Sequence, residues 1–371
     1  MKNSIASLLL LAFLPVASFA QKNKTPKPVV IAYVGGYRGL ADTSYIDVTK
    51  LTHINYAFVD VKDNRAWLHF EKTDTVNFKN LNLLKRKNPS LKILISIGGW
   101  AWSKNFSDAS LTDTGRRAFA ASAVNIIRQY ALDGVDIDWE YPGMRGNDGN
   151  VYRPEDKENY TLLFRDLRHA LDSVGKETRK KYLLTTATGG FSNYLSHTDM
   201  KAASVYLDYV NLMTYDYSWG MSGHHTNLYN SDSIANQNSA DKAIIAYIQA
   251  GVPVQKMVMG VAFYGRGYVT PTADRHGFNQ KPVSNVRGGG YSYIKDSVLT
   301  QPGNTAYWDD KAKAPYIFNE TTKTFITYDD ERSVKYKCQY VKEHKMAGVM
   351  FWEYSNDPKG YLLNAITEAF K

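Results

Sequence analysis

The sequence has little cysteine, for Cys338 is the only one among its 371 residues. No internal disulfide can form, so stability must come from a packed core. We also find no zinc-type spacing of histidine and cysteine, no glycine-rich loop that would cradle a phosphate, and no serine nucleophile elbow. His224 and His225 are adjacent rather than spaced along a helix face, which does not favour a metal site. We therefore expect neither a metal nor a cofactor.

Long apolar runs are missing after the first 20 residues. Met1 to Ala20 has the pattern of a secretory leader, with Lys2 at its positive end and an apolar segment from Ile5 to Val16. That segment is shorter than the roughly 20 residues that a membrane-spanning helix needs. We predict a signal peptide at residues 1–20. The mature protein is expected to be secreted, outside the cell or into a periplasm, without a stable membrane anchor.

Basic residues outnumber acidic ones. The chain has a formal net charge of +9 at pH 7, and removal of the leader with Lys2 leaves +8. Such charge can attract nucleic acid or an anionic surface. Here the lysines and arginines are scattered, apart from Lys22, Lys24 and Lys27 at the start of the mature protein. We interpret the charge as a solvated surface, and expect a monomer with no nucleic-acid partner.

The sequence does contain a concentrated group of acids. The segment from Leu132 to Gly143 places four of them, Asp133, Asp136, Asp138 and Glu140, within eight residues. On an extended strand the side chains alternate between faces, so the last three acids share one face and lie roughly 6.6 Å apart. Their like charges raise the affinity for protons, so at least one proton is retained near neutrality. A general acid requires this property.

The acid row also has two non-catalytic interpretations, which stay open. The row could form the solvent face of a strand, or it could bind a hard cation, because Asp-x-Asp-x-Glu is similar to a run of calcium ligands. A calcium loop needs Gly and Asn turns between its ligands, whereas Val135, Ile137 and Trp139 stand here and favour a strand. We favour a catalytic role for the row, and expect Asp133, which falls off its face, to be structural.

Short apolar runs alternate with longer periodic segments, which is typical of repeated βα units. Helical spacing of apolar residues occurs in segments such as 112–130, 154–174 and 239–250. Eight segments have the composition of strands: Val29–Val34, His53–Phe58, Lys92–Ile97, Gly134–Glu140, Leu183–Thr188, Tyr209–Thr214, Met257–Phe263 and Ala347–Trp352. They predict an α/β fold, a (β/α)8 TIM barrel, whose active site lies at the carboxyl ends of its strands.

One interval, from Gly267 to Thr327, interrupts this rhythm between the seventh and eighth strands. It is rich in Gly, Tyr, Asn and Pro, but Trp308 and the apolar runs 316–318 and 325–326 indicate a folded insertion rather than a loose loop. We therefore predict these domains: the barrel at 21–266 with 328–371, and the insertion at 267–327.

The acid row belongs to a longer motif. Asp133-x-x-Asp136-x-Asp138-x-Glu140, followed by Tyr141-Pro142-Gly143, resembles the signature of the chitinases of glycoside hydrolase family eighteen. Further motifs agree in order along the chain: Ser96–Trp100, Met213–Asp216, Phe263–Arg266 and Gly348–Trp352. The resemblance covers nearly all of the mature chain. It implies a glycoside hydrolase with a small α+β insertion, acting on chitin or N-acetylchitooligosaccharides.

The resemblance and the placement of the acids imply the catalytic roles. Glu140 is expected to protonate the glycosidic oxygen and then to activate water. Asp138 projects from the same side of the same strand, so it is badly placed to attack the opposite face of the sugar. The substrate's own 2-acetamido oxygen is the expected nucleophile, with Asp138 accepting from the acetamido N–H. Asp136 would share a proton with Asp138, and Tyr215 would hold the acetamido oxygen.

Sugar contacts are expected at the same rim of the barrel. Sugars present flat apolar faces, so an aromatic surface beside carboxylates suits a glycan. Each aromatic could instead belong to the core. Trp102 and Trp219 lie in loops beside the site and are not included. The predicted substrate-binding residues are Tyr33, Phe58, Gly99, Trp100, Tyr141, Met213, Asp216, Arg266 and Trp352.

Three functions are consistent with these observations. A secreted chitinase that cuts β-1,4-linked N-acetylglucosamine is favoured. The alternatives are an endo-β-N-acetylglucosaminidase on N-glycans, against which the insertion and the aromatic rim argue, and a non-catalytic lectin-like protein. Proteins of the last type usually lack the acid at the position of Glu140, which is present here.

Overall fold

The computed structural model describes residues 27–232 and 237–371. Its strands in chain order are β1 (Val29–Gly35), β2 (His53–Lys62), β3 (Arg65–Trp67), β4 (Lys92–Gly98), β5 (Gly134–Asp138), β6 (Leu183–Gly189), β7 (Tyr209–Met213), β8 (Met257–Ala262), β9 (Tyr264–Val269), β10 (Ser284–Gly290), β11 (Asn304–Asp309), β12 (Ala314–Asn319), β13 (Thr324–Thr327) and β14 (Gly348–Trp352).

Eight of these strands form a closed parallel barrel. Around the barrel the order is β1, β14, β8, β7, β6, β5, β4 and β2, and the pairing of β1 with β2 closes it. These strands coincide, within a few residues at their ends, with the eight segments that the sequence predicts. The TIM-barrel prediction is confirmed.

Helices surround the barrel. They are α1 (Glu71–Leu84), α2 (Phe106–Ser110), α3 (Asp113–Gln129), α4 (Asp156–Thr178), α5 (Met200–Ser204), α6 (Ala240–Gln249), α7 (Tyr291–Tyr293), α8 (Glu331–Glu343) and α9 (Tyr361–Ala369). The amphipathic pattern of α4 buries Leu163, Leu167 and Leu171 on one face. Thr112 accepts a hydrogen bond from the Gly115 N–H and so fixes the start of α3.

Strand β5 shows how alternation separates the two sides of the barrel wall. Val135, Ile137 and Trp139 belong to the core between the strands and the helices, and the Trp139 ring stacks on Phe106 at 5.2 Å. Asp136 hydrogen-bonds with side chains from other barrel strands, and Asp138 lines the cleft at the mouth of the barrel. The acid row therefore faces the inside of the barrel.

A second sheet lies, in sequence, between β8 and α8. It is antiparallel, in the order β10, β9, β13, β12 and β11, and it has an aromatic core of Tyr268, Phe278, Phe318 and Phe325. The predicted domain boundary between residues 266 and 267 falls inside β9. The division of the chain into domains stays a prediction.

The predicted signal peptide, residues 1–20, lies outside the described residues. Within residues 27–232 and 237–371, no helix combines the length and the apolar character that crossing a bilayer demands.

Candidate active site

A cleft of about 1080 Å³ opens at the carboxyl ends of the barrel strands. Most of the residues that the sequence predicts for the site line it. Asp136 and Gly99 do not: Asp136 lies in the barrel interior, and Gly99 lies behind Phe58. The predicted residues that line the cleft are Tyr33, Phe58, Trp100, Asp138, Glu140, Tyr141, Met213, Tyr215, Asp216, Arg266 and Trp352.

Asp136 is fully buried and accepts hydrogen bonds from four other strands. Its donors are the hydroxyls of Tyr33 at 2.9 Å, Ser96 at 2.8 Å and Thr185 at 2.5 Å, and the Asn211 amide at 3.2 Å. Burial raises the pKa of Asp136, and these donors oppose the rise. The network fixes the first acid of the row. The sharing of a proton between Asp136 and Asp138 stays a prediction.

Asp138 is a buried acid whose surroundings disfavour its ionised form. It is 4% exposed, and its Oδ1 has no hydrogen-bond partner among the described residues. Burial, followed by the charges of Glu140 and Asp136, raises its pKa well above the usual range. Asp138 lines the cleft, so a ligand that reaches this oxygen would supply the donor that it lacks.

Glu140 lies two residues after the end of β5, and its backbone N–H donates to Ser103 Oγ at 2.8 Å. Burial and the charge of Asp216 raise the pKa of Glu140 to about 7, although a hydrogen bond with Tyr141 opposes the rise. A carboxyl group with this pKa is protonated in a large part of the molecules at neutral pH. It can therefore both give and take a proton there.

Asp216 and Arg266 form a bidentate ion pair that lines the cleft. Arg266 Nε lies 2.8 Å from Asp216 Oδ1, and Nη2 lies 2.7 Å from Oδ2. Burial raises the pKa of Asp216, but the interactions with the nearby His225 and with Arg266 outweigh this effect, and the pKa lies well below its usual range. Asp216 is therefore a permanent negative charge.

Tyr215 stands between the acids and the barrel interior. Burial, followed by the charges of Asp138 and Asp216, raises its pKa well above the usual range, so its hydroxyl keeps its proton. The hydroxyl lies 3.7 Å from Met350 Sδ, a weak acceptor. It can donate to a ligand in the cleft.

One end of the cleft has an aromatic platform made of Tyr37, Phe58 and Trp352. The Trp352 ring lies nearly parallel to Phe58, at 5.4 Å and 20°, and to Tyr37, at 6.2 Å and 8°. Gly99 permits this packing, because a Cβ there would lie 2.6 Å from the Phe58 ring and its φ of 80° favours glycine. The nearly parallel rings suit the apolar face of a sugar.

The other rim carries aromatics that are more open to solvent. Trp100 is 43% exposed, and its ring lies 6.4 Å from Trp219, which is 79% exposed. Tyr141 packs against Trp100 with its ring centre at 6.3 Å. These side chains could cover further sugar units of a longer ligand.

Tyr33 is placed differently from the other predicted sugar contacts. Its side chain is 2% exposed, and its hydroxyl is bound to Asp136 beneath the cleft. Its ring touches the platform from below, at 5.8 Å from Trp352. A direct contact of Tyr33 with sugar stays a prediction.

Sequence reasoning missed several residues of the site. Tyr37 was not considered, and Trp102 and Trp219 were considered but not included. All three line the cleft from loops, where no periodicity assigns a direction to a side chain. The donors to Asp136 are different, because Ser96, Thr185 and Asn211 lie on predicted strands. Their inward direction would have followed from the same alternation that placed the acids, but it was not predicted.

Comparison with known proteins gives consistent matches. The sequence model of the glycosyl hydrolases family 18 matches residues 29–357. Chitinase A1 of Niallia circulans is 38% identical over 86% of this chain, and the chain spans 55% of that protein's length. Chitinase ChiA74 from Bacillus thuringiensis superposes with a TM-score of 0.87 at 35% identity, covering 93% of this chain and 70% of that chain. A family 18 N-acetylglucosaminidase from Paenibacillus barengoltzii superposes with a TM-score of 0.86 at 41% identity. The superposition covers 92% of this chain and 99% of that chain.

Proposed function

The chain belongs to glycosyl hydrolase family 18 and is a glycoside hydrolase, and from this we propose that it cleaves β-1,4-linked N-acetylglucosamine in chitin or N-acetylchitooligosaccharides. The reaction is retaining and substrate-assisted, with Glu140 as general acid and base. The names of the similar proteins, two chitinases and an N-acetylglucosaminidase, support a substrate built from N-acetylglucosamine.

One observation carries the mechanism. The buried Asp138 Oδ1, which has no partner among the described residues, lies on the strand that leads directly to Glu140. A substrate that brings an amide N–H to this oxygen relieves an unpaired buried acceptor, which otherwise costs about 1–3 kcal/mol. The 2-acetamido group of N-acetylglucosamine supplies such a donor.

The positions of the acids that line the cleft indicate which group is the nucleophile. Among the described lining residues these are Asp138, Glu140 and Asp216. Asp216 has both oxygens engaged by Arg266, and Asp138 and Glu140 project from the same segment, so neither is placed to attack the sugar face opposite the other. The acetamido oxygen of the substrate therefore attacks the anomeric carbon.

The proton balance uses Glu140 twice. Its proton passes to the glycosidic oxygen as the bond to the anomeric carbon breaks, and the acetamido oxygen closes an oxazolinium ring. Asp138 accepts from the acetamido N–H and stabilises the positive charge, while the Tyr215 hydroxyl holds the acetamido oxygen. Glu140, now ionised, takes a proton from water, which opens the ring with net retention.

Two modes of action remain as candidates within this function. The resemblance in fold and sequence to an N-acetylglucosaminidase favours release of single sugars, whereas the two groups of aromatics that line the cleft favour longer oligomers. Activity on N-glycans would be a different function. The sizes of the products separate these candidates.

We also propose that the protein is exported after removal of residues 1–20. The measurement is the mass of the mature protein recovered from culture medium and periplasm. A chain that begins at Gln21 would support export, and an intact Met1 in the cytoplasm would contradict it.

The central experiment compares the purified protein with its Glu140→Gln variant. Both are incubated with N-acetylchitooligosaccharides and with a high-mannose glycopeptide, and the products are resolved by chromatography and NMR. We expect cleavage of the oligomers by wild type with the β-anomer appearing first, and a loss of at least about 100-fold in the variant. Cleavage of the glycopeptide alone, or equal activity of both proteins, would overturn the proposal.

A further inference from the structure

His225 is a buried histidine beside the cleft that the mechanism above does not use. Its side chain is 0% exposed, and its ring packs against Tyr264 with centres 5.2 Å apart. Its backbone is held on both sides, because its N–H donates to Thr327 Oγ1 at 3.1 Å and its carbonyl accepts from the Tyr217 N–H at 3.0 Å. The imidazole therefore has a fixed position between the loop after β7 and the sheet that contains β9.

The polar group that faces this imidazole is the carboxylate of Asp216. His225 Nδ1 lies 3.5 Å from Asp216 Oδ1. Within residues 27–232 and 237–371, neither ring nitrogen has a hydrogen-bond partner, so this 3.5 Å approach is a contact and not a formed hydrogen bond. Burial of an imidazole without a partner is unfavourable, and hydrogen bonds in unliganded active sites are often long and tighten when the substrate binds. Asp216 is thus the acceptor that a small shift would bring within hydrogen-bond distance of His225 Nδ1.

The position of Asp216 matters for the reaction. Its backbone has a φ of 61°, which is uncommon for a residue other than glycine and persists where the surroundings hold it. Its carboxylate lines the cleft, and its negative charge raises the pKa of Glu140. Arg266 holds it from the solvent side, at 43% exposure, whereas His225 reaches it from the buried side.

We propose that His225 is a positioning residue, whose Nδ1–H donates to Asp216 and, together with Arg266, fixes that carboxylate beside Glu140. The inference rests on the proposed function, because it acts through Glu140. The titratable and charged groups around the imidazole are Asp216, Arg266, Tyr264 and the neighbouring His224.

The test uses two substitutions, each of which keeps one property of the histidine side chain and removes another. His225→Phe keeps a flat ring against Tyr264 but has no donor, whereas His225→Asn places an amide nitrogen close to the position of Nδ1. His224→Asn is the matched control, since His224 is also fully buried but its Nε2 faces Asp309 at 3.2 Å and its ring packs on Phe278. We measure kcat and KM for N-acetylchitotetraose across the pH range in which each variant stays folded.

We expect His225→Phe to lower kcat/KM by about tenfold or more, mainly through kcat, as loss of a hydrogen bond to a charged group does. Asp216 is then held less closely beside Glu140, so its charge raises the pKa of Glu140 less and the basic limb of the pH profile moves to lower pH. His225→Asn should restore both properties to within about threefold, and His224→Asn should keep the wild-type profile. Equal losses in the Phe and Asn variants, or a wild-type basic limb in the Phe variant, would overturn the inference.

A second measurement needs no substitution. In protein labelled with 15N-histidine, NMR reports which ring nitrogen of His225 carries the proton. Protonation at Nδ1 supports the proposed hydrogen bond, and a neutral ring protonated only at Nε2 excludes it. This result stands even if wild type fails to cleave the oligomer, an outcome that would overturn the proposed function instead.

Discussion

The active site has two regions that are built differently. The floor consists of buried strand residues, and the wall consists of aromatic side chains from loops and strand ends. The members of the floor are Tyr33, Ser96, Asp136, Asp138, Glu140, Thr185 and Asn211, and those of the wall are Tyr37, Phe58, Trp100, Trp219 and Trp352. Directed hydrogen bonds of 2.5 to 3.2 Å join the floor around Asp136, whereas the wall is joined by ring contacts of 5.4 to 6.4 Å.

The different construction of the floor and the wall indicates which region controls which kinetic constant. Proton transfer and charge stabilisation depend on small changes in position, so they belong on the rigid, buried floor. Stacking on a sugar tolerates small shifts, so it can be supplied by loops. We expect changes in the floor to lower kcat and changes in the wall to raise KM.

The largest effect is expected from Asp138→Asn in the floor. The variant keeps the shape but loses the negative charge that stabilises the oxazolinium ion, so kcat should fall by about 100-fold or more with little change in KM. Steady-state kinetics on N-acetylchitotetraose measure both constants. A rise in KM at unchanged kcat would show that Asp138 binds substrate but takes no part in the chemistry.

A smaller effect is expected from Trp352→Ala in the wall. Loss of the platform ring should raise KM about tenfold and leave kcat within about threefold. Trp308→Ala is the control, because Trp308 stacks on Tyr336 outside the cleft. If kcat falls by more than KM rises, Trp352 positions the reacting sugar and the division between floor and wall does not hold there.

The two regions also differ in how far the sequence predicts them. Strand alternation gave the inward direction of Asp136 and Asp138, because a period of two leaves only one alternative. The same period would also have placed Ser96, Thr185 and Asn211 inside, so the floor was accessible to pattern reasoning almost entirely. The barrel itself followed from the number and spacing of the strands.

Most of the wall had no such signal. Tyr37 and Trp219 lie in loops, whose direction is set by tertiary contacts rather than by a local period. The cis peptide bonds Ala57–Phe58, Glu140–Tyr141 and Trp352–Glu353 likewise have no proline to mark them. Trp352 was indicated as a sugar contact by its position at the end of the eighth predicted strand and within a motif of the family, and that role stays a prediction.

Asp216 belongs to neither region, because it lines the cleft beside Arg266 while its charge acts on Glu140 in the floor. Glu140 must be protonated to act as an acid, so kcat/KM should fall as pH rises through its pKa of about 7. Asp216→Asn removes a like charge and leaves that of Arg266, so the pKa of Glu140 falls and the basic limb moves to lower pH. Arg266→Gln should move the limb the opposite way. A basic limb that is the same in both variants would separate Asp216 from the acid.

The smallest effect is expected at Trp219, the most exposed member of the wall at 79%. A ring so open to solvent loses little on truncation, so Trp219→Ala should raise KM about threefold. The rise should appear only with oligomers long enough to reach that rim, and a shorter oligomer should be cut as by wild type. Trp67→Ala is the matched control, since Trp67 is 45% exposed but does not line the cleft. An equal rise in KM for the short oligomer would contradict this expectation. Trp219 would then act close to the reacting sugar, and the wall would be more closely coupled to the floor than its geometry indicates.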